Sequence, residues 1–235
     1  MNVTACKARL REAFRTNPVV FNFLGRRQES GIKLRRVCRK GDDVVIDGFP
    51  RSANTYATHA FIMAQPREIK IGNHCHAAAQ FFLSKKYGVP AMLVIREPVG
   101  AVSSLMVFRG QSDPTEAIAQ YIAFHQPLKR IRGSFLVAPF DLVISDLGEC
   151  VRQLNAKFKT NFSSKMPENE VVFLDIAEHR GRFPLSSEKH HVNRWTVPAA
   201  QKAEINLIAR KAITSNKFKK KLAAANRLYQ EILSF

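Results

Sequence analysis

Cysteine is scarce in this chain, and its four copies are scattered. Cys6, Cys38, Cys75 and Cys150 form no C-x-x-C pair. That spacing argues against a disulfide framework and against a structural zinc site. Unpaired thiols suit a reducing compartment, so the sequence predicts a cytoplasmic location and no metal cofactor.

Long hydrophobic runs are also missing. No window reaches the roughly 18 apolar residues that a membrane-spanning helix needs. The N-terminus shows no apolar segment followed by a cleavage site, as a secretory signal would. We therefore expect no transmembrane segment.

Acidic residues are few compared with basic ones. There are 19 Asp and Glu against 37 Lys and Arg, which gives a formal net charge of +18. Such a balance favours an anionic partner, for example a nucleotide, an acidic lipid or an acidic polysaccharide. No zinc-finger spacing or RNP-like aromatic motif accompanies the charge, so nucleic acid is not an expected partner.

The stretch from Val44 to Ala60, VVIDGFPRSANTYATHA, organises the rest of the chain. Its apolar start reads as a buried strand, and Gly48 and Pro50 then punctuate the chain. A helix follows over about residues 54–63, with Ser52 or Asn54 as its N-cap. A strand, a tight turn and a helix N-terminus make an anion site, because free N–H groups and the helix dipole converge there.

Residues 48–55, GFPRSANT, match the P-loop pattern G-x4-G-K-[ST] only in part. The first Gly and the final Thr are present, but Ala53 replaces the second Gly and Asn54 replaces the Lys. That Lys acts on the β- and γ-phosphates of ATP or GTP, so its loss argues against ordinary triphosphate chemistry. One cation has moved into the loop, at Arg51.

The segment PRSANTY resembles the 5′-phosphosulfate loop of sulfotransferases that use PAPS (3′-phosphoadenosine 5′-phosphosulfate), whose usual form is P-[KR]-S-G-T-T followed by an aromatic or aliphatic residue. The resemblance implies that Arg51 is the basic residue of this loop. It implies a cofactor-binding set of Arg51, Ser52, Ala53, Asn54, Thr55 and Tyr56.

A second segment, LVIREPVGAVSSL (residues 93–105), resembles the sulfotransferase signature R-[DN]-P-R-D-x-x-x-S, which holds the 3′-phosphate. Arg96 matches the arginine and Ser104 the serine eight residues later, while Val99 and Gly100 depart from the charged pair. A guanidinium fork and a hydroxyl at a helix start suit a phosphate dianion. The alternative is structural: Arg96 forms an ion pair with Glu97.

Two histidines are candidates for the catalytic base. The family has a histidine shortly before its R-D-P strand, and His74 and His76 both lie there; the spacing to Arg96 favours His74. Arg51 would neutralise charge on the leaving phosphate. An H-x-H zinc site lacks a third ligand nearby. Lys189 and Arg194 are the candidates for the family's C-terminal basic segment, and a solvated basic loop is the alternative reading of that stretch.

The resemblance implies a single α/β domain over residues 1–235, with a parallel sheet between helices as in P-loop proteins. Its parts are a basic N-terminal segment (1–40), a nucleotide-binding core (43–160) and a basic C-terminal segment with helices (183–235). The implied activity is transfer of a sulfuryl group from PAPS to a hydroxyl or amine, releasing PAP. The sequence does not identify the acceptor, although the positive charge would suit a saccharide or a lipid. Two alternatives stand: a kinase with a degenerate P-loop, and a non-catalytic module that binds PAP or polyanions.

Several further elements are predicted from patterning alone. Residues 1–40 contain eleven Lys or Arg and two Glu. We expect an amphipathic segment that packs across the edge of the domain; the alternative is a segment that binds a membrane surface or a polyanion. Short strands are expected at Arg67–Ile71 and at Val171–Leu174. Two basic helices are expected over Ala199–Leu233.

Overall fold

The chain folds around a parallel sheet of four strands with helices on both faces. A computed structural model describes residues 14–27, 36–181 and 202–235. The strands are β1 (Val44–Gly48), β2 (Ile71–Asn73), β3 (Ala91–Ile95) and β4 (Leu136–Pro139), in the sheet order β2-β1-β3-β4, and every pairing is parallel. The predicted α/β class with a central parallel sheet is therefore confirmed.

Ten helices in the described residues accompany this sheet. They are α1 (Pro18–Arg27), α2 (Asn54–Ala64), α3 (Ala79–Tyr87), α4 (Pro98–Arg109), α5 (Thr115–His125), α6 (Phe140–Ser145), α7 (Leu147–Phe158), α8 (Asn169–Gly181), α9 (Lys202–Thr214) and α10 (Lys219–Leu233). None of them is long and apolar enough to cross a bilayer.

The strands are buried on both faces, which is why they read as continuous apolar runs. Alternate residues of β3 enter two separate cores: Leu93 and Ile95 pack with α3, α4 and α5, whereas Met92 and Val94 pack with α2, α7 and α8. The α9 and α10 helices pack against α4 and α5 on the first face. The division of residues 1–235 into one domain with three parts stays a prediction.

The strand order reverses between β1 and β3. From β1 the chain moves to β2 on one side, and it then returns to place β3 on the other side of β1. In open α/β sheets ligands bind in the crevice outside the carboxyl ends of the strands at this reversal. The two segments that resemble phosphate sites, residues 48–55 and 93–105, are called the phosphate-type segments. Both reach this reversal, because one follows β1 and the other includes the end of β3 and continues beyond it.

Two of the predicted strands differ from the structure. Residues 171–174 lie inside α8, because Val172 and Ile176, four positions apart, point into the core beside α2. A run of four apolar residues does not distinguish a strand from a helical turn. The second strand is Ile71–Asn73 and not Arg67–Ile71, since β2 pairs with Val44, Val45 and Ile46.

His125 is fully buried in an aromatic cluster beneath the loop that follows β1. Its ring contacts those of Phe49, Tyr121 and Phe124, and its Nδ1–H donates to the Tyr121 carbonyl at 2.9 Å. Burial lowers the pKa of His125 from 6.5 to about 3, and the hydrogen bond to Tyr121 opposes this only partly. The folded protein therefore holds this imidazole neutral.

Acid is expected to destabilise the protein through His125. The unfolded chain takes up this proton as the pH falls below about 6.5, while the folded state does not, so stability is lost from there downward. The loss at pH 5 is about 2 kcal/mol. Urea unfolding at pH 7 and pH 5 measures it, with His125→Phe as the comparison, because other groups titrate equally in both proteins. An unchanged pH difference in His125→Phe would contradict this role.

Candidate functional site

The loop between β1 and α2 has an unusual backbone conformation. Arg51 (φ 70°) and Ala53 (φ 69°) both adopt left-handed backbone conformations. Left-handed residues within a turn belong to the anion-binding concavities known as nests. Ala53 is also the N-cap of α2, and within the described residues no side chain caps the helix N-terminus. The predicted capping by Ser52 or Asn54 is therefore wrong, and the first N–H groups of α2 stay available to a ligand.

The polar side chains of this loop serve two different purposes. Asn54 donates from Nδ2 to the carbonyls of Phe49 (2.8 Å) and Gly48 (3.4 Å), which ties the loop to the end of β1. This inward turn is why Asn54 does not cap α2. Ser52 is fully buried, and within the described part of the chain its hydroxyl has no hydrogen-bond partner. A buried hydroxyl of this kind is costly unless a ligand satisfies it.

The two phosphate-type segments are in direct contact. The Nε–H of Arg51 donates to the Ser104 hydroxyl at 3.0 Å, and Nη1 of Arg96 donates to the Arg51 carbonyl at 3.2 Å. The Arg51 guanidinium also lies 5.1 Å from the ring of Phe108. Residues separated by 53 and 45 positions thus meet at the reversal of the sheet.

Arg96 is partly buried, and both charged side chains and an aromatic ring surround it. Its guanidinium lies 4.1 Å from the ring of Phe140, a cation–π arrangement. Burial lowers the pKa of Arg96; Glu97 acts to raise it, Arg210 lowers it further and Asp141 raises it. A cation in such surroundings gains from an added anion.

Glu97 does not act simply as the ion-pair partner of Arg96. Its carboxylate caps α4 by accepting from the N–H of Gly100 at 2.8 Å, and it lies 3.6 Å from the guanidinium of Arg210. A Cβ atom at Gly100 would stand 2.2 Å from Glu97 Oε1 and 2.9 Å from Arg96 Nε. A side chain at position 100 would therefore require the Glu97 and Arg96 side chains to move.

A buried carboxylate holds the turn that carries the two histidines. Asp47, at the end of β1, is fully buried, and its Oδ2 accepts from the backbone N–H groups of Cys75 (2.9 Å) and His76 (3.1 Å). His74 (φ 51°) and His76 (φ 48°) both adopt left-handed conformations, which side chains normally avoid. Asp47 thus stabilises a strained turn at the carboxyl end of the strands.

The two imidazoles have different surroundings. His76 Nδ1 lies 2.8 Å from the Gly48 carbonyl, which can only accept, so this nitrogen carries the proton in the neutral ring. The same Nδ1 is 3.4 Å from Asp47 Oδ1. His74 bonds through Nε2 to the Thr55 hydroxyl at 3.0 Å, so it contacts the phosphate-type loop directly.

Tyr56 lies at the edge of a cleft beside the start of α2. Its hydroxyl bonds to Asn169, and its ring packs against Phe173 of α8. The cleft has a volume of about 370 Å³ and is lined by residues of α6, α7 and the segment before α8. A larger cavity of about 580 Å³, lined by Lys129, Arg132, Gly133, Glu231, Ser234 and Phe235, shares no residue with the site.

Two predicted residues fall outside the description of the site. Lys189 and Arg194 lie in the part of the chain that the structure does not describe. Within residues 14–27, 36–181 and 202–235, no group of three His, Cys, Asp or Glu side chains is arranged to hold a metal ion.

Sequence reasoning missed Asp47 and Arg210. Asp47 is part of a strand and its partners lie 28 and 29 positions away, so no local pattern marks it. Arg210 is one of three basic residues of α9, and such residues by themselves indicate a solvated surface. Only the packing of α9 against α4 brings it beside Glu97.

Comparisons with known proteins give limited information. No family model matches the chain, and no curated protein matches it. The crystal structure of a mouse sulfotransferase complexed with PAP is similar over 85% of each chain, at 11% sequence identity and with a TM-score of 0.40. A similarity of this size does not indicate what this chain binds or transfers.

Proposed function

We propose that this chain is a PAPS-dependent sulfotransferase that moves a sulfuryl group to a hydroxyl or amine and releases PAP. One observation carries the proposal. The Arg51–Ser104 and Arg96–Arg51 bonds unite two sequence segments that each resemble a phosphate site of this family. They meet where the strand order reverses, which is where such a sheet binds nucleotides.

The residues present fit a ligand with two separate phosphate groups. At the loop, Ser52 offers a buried hydroxyl, α2 offers uncapped N–H groups, and Arg51 and Thr55 lie alongside. These groups would hold the 5′-phosphosulfate. Arg96 and Ser104 would hold the 3′-phosphate, with Arg210 next to them as a further cation. Lys189 and Arg194 remain proposed contacts to the same phosphate.

Tyr56 is proposed to border the nucleoside part of the ligand. It follows Thr55 in the loop and lines the cleft of about 370 Å³, which is large enough for a purine ring system. Its bond to Asn169 holds the start of α8 against α2, so it also fixes one wall of the cleft.

Each protein group then has a chemical role. PAPS supplies the sulfuryl group when it is bound. As the acceptor attacks sulfur, a histidine takes the acceptor's proton, and the bond from sulfur to the bridging phosphate oxygen breaks. Arg51 and the N–H groups of the loop stabilise the negative charge that the leaving phosphate gains. No step requires the lysine that this loop lacks.

The surroundings of the two histidines favour His76 as the base. Because its Nδ1–H donates to Gly48, its Nε2 carries the lone pair that can accept a proton. The Asp47 carboxylate lies 3.4 Å from Nδ1, on the side of the ring opposite to Nε2, and helps to orient the ring. His74, favoured by spacing, is bonded to Thr55 and would instead link the base region to the phosphate loop.

Binding of PAP is expected to stabilise the protein, and Arg96→Ala is expected to remove most of this effect. A ligand that binds only the folded state adds about 2.7 kcal/mol at one hundred times its Kd. For a chain of this size that raises Tm by about 5–10 °C. Thermal unfolding is measured with PAP, with ATP and Mg²⁺, and without ligand.

The control is Arg67→Ala, which also removes one positive charge. Arg67 is exposed and pairs with Asp43 at the other end of the sheet, so the shift with PAP should persist in this variant. A shift with ATP and Mg²⁺ but none with PAP would reject the proposal in favour of a kinase. A shift with PAP in the absence of any transfer would favour a binding module.

A further inference from the structure

Helix α1 presents an apolar face to solvent. Val19 and Phe23 are 73% and 62% exposed, and Val20 and Leu24 are each more than a third exposed. At about 100° per residue these four side chains span an arc of about 140°. Phe21 projects from another side, is buried, and packs against Phe14, so it fixes the helix to the protein. The exposed face is therefore held in a defined orientation.

Helix α1 and the helix next to it carry basic residues and no acidic ones. Helix α1 packs against α3, whose last turn carries Lys85 and Lys86, both exposed. Neither helix contains an acidic residue, and α1 itself ends in two arginines. Residues 1–40 as a whole contain eleven Lys or Arg against two Glu. A second copy of this chain would bring like charges together, so charge disfavours self-association through this face.

We propose that α1 docks on the surface of a bilayer that contains anionic lipids. An apolar helical face flanked by cations suits the boundary between headgroups and acyl chains. Val19, Phe23 and Leu24 would enter the bilayer, while Lys85 and Lys86 contact acidic headgroups. This inference does not depend on the proposed reaction.

Sedimentation of the full chain with vesicles tests the proposal. We expect binding to vesicles of phosphatidylcholine mixed with phosphatidylserine, and little binding to phosphatidylcholine alone. Phe23→Ser should weaken binding about ten-fold through lost apolar insertion. Replacing Lys85 and Lys86 with Glu should weaken it at least as much, since each basic residue near the surface contributes about five-fold. Added salt should have the same effect.

Leu174→Ser is the matched control. Leu174 is 65% exposed on α8, so this variant removes a similar apolar side chain from another surface. Its binding should equal that of the unchanged chain, and thermal unfolding should show that all variants are folded. The proposal would be overturned if the chain did not bind vesicles at all, or if it bound neutral vesicles as well as anionic ones. It would also be overturned if Leu174→Ser weakened vesicle binding as much as Phe23→Ser does. Loss of a dimer in Phe23→Ser without loss of vesicle binding would assign the face to a second copy instead.

Discussion

Gly48→Ala is expected to cost at least about 4 kcal/mol of stability and to abolish PAP binding. A Cβ atom at Gly48 would lie 2.1 Å from the Val94 carbonyl oxygen and 2.8 Å from Asn54 Oδ1. The first contact is with backbone that pairs with β1, so it cannot move without separating β1 from β3. The second would displace the side chain that ties down the loop.

Gly88→Ala provides the control for this substitution. Gly88 has φ of +67°, and an added Cβ would meet nothing within 4 Å. Only backbone strain opposes that change, at about 1–2 kcal/mol. Urea unfolding of both variants separates the cost of the close approach from the cost of adding a methyl group. A Gly48→Ala protein within about 1 kcal/mol of the original would contradict the tight packing of β1 on β3.

The need for glycine at position 48 explains why the strand, turn and helix could be predicted from the sequence. Close approach of two strands admits only glycine, so the first glycine of a phosphate-loop pattern is fixed by backbone geometry. The second position is less strict. Ala53 adopts φ of 69° where the pattern has Gly, which is strained but compatible with a small side chain. The turn between β1 and α2 therefore forms with alanine in the place of the pattern's second glycine.

Residues that act through distant contacts could not be predicted. Asp47 gains its role only when β2 pairs with β1 and brings the turn at residues 74–76 within reach. Arg210 approaches Glu97 only because α9 packs on α4, 113 positions away in sequence. The predicted strand at residues 171–174 was wrong for a related reason. These residues are helical because Val172 packs towards α2, and a four-residue pattern contains no information about such a tertiary contact.

The largest expected effect on activity comes from replacing His76. His76→Gln is expected to lower the rate of sulfuryl transfer by about 10²–10⁴-fold, the usual contribution of a general base. Glutamine can still bond to Gly48 through its amide group but cannot accept the acceptor's proton at neutral pH. The stabilisation by PAP should remain, because His76 contacts the carbonyl of Gly48, which is not among the groups proposed to hold PAP. Transfer of labelled sulfate from PAPS to a panel of hydroxyl and amine acceptors provides the rate.

His74→Gln is the comparison that assigns the base. If His76 takes the proton, His74→Gln should retain more activity and should instead weaken the shift with PAP, because it alters the bond to Thr55 in the loop. The reverse pattern would make His74 the base, as the sequence spacing favours. Asp47→Asn separates positioning from folding. Asparagine can still accept from Cys75 and His76, but it loses the bond from the Gly48 N–H and places no negative charge beside the His76 ring. Loss of turnover with intact PAP binding in this variant would show that the carboxylate charge behind His76 serves the reaction.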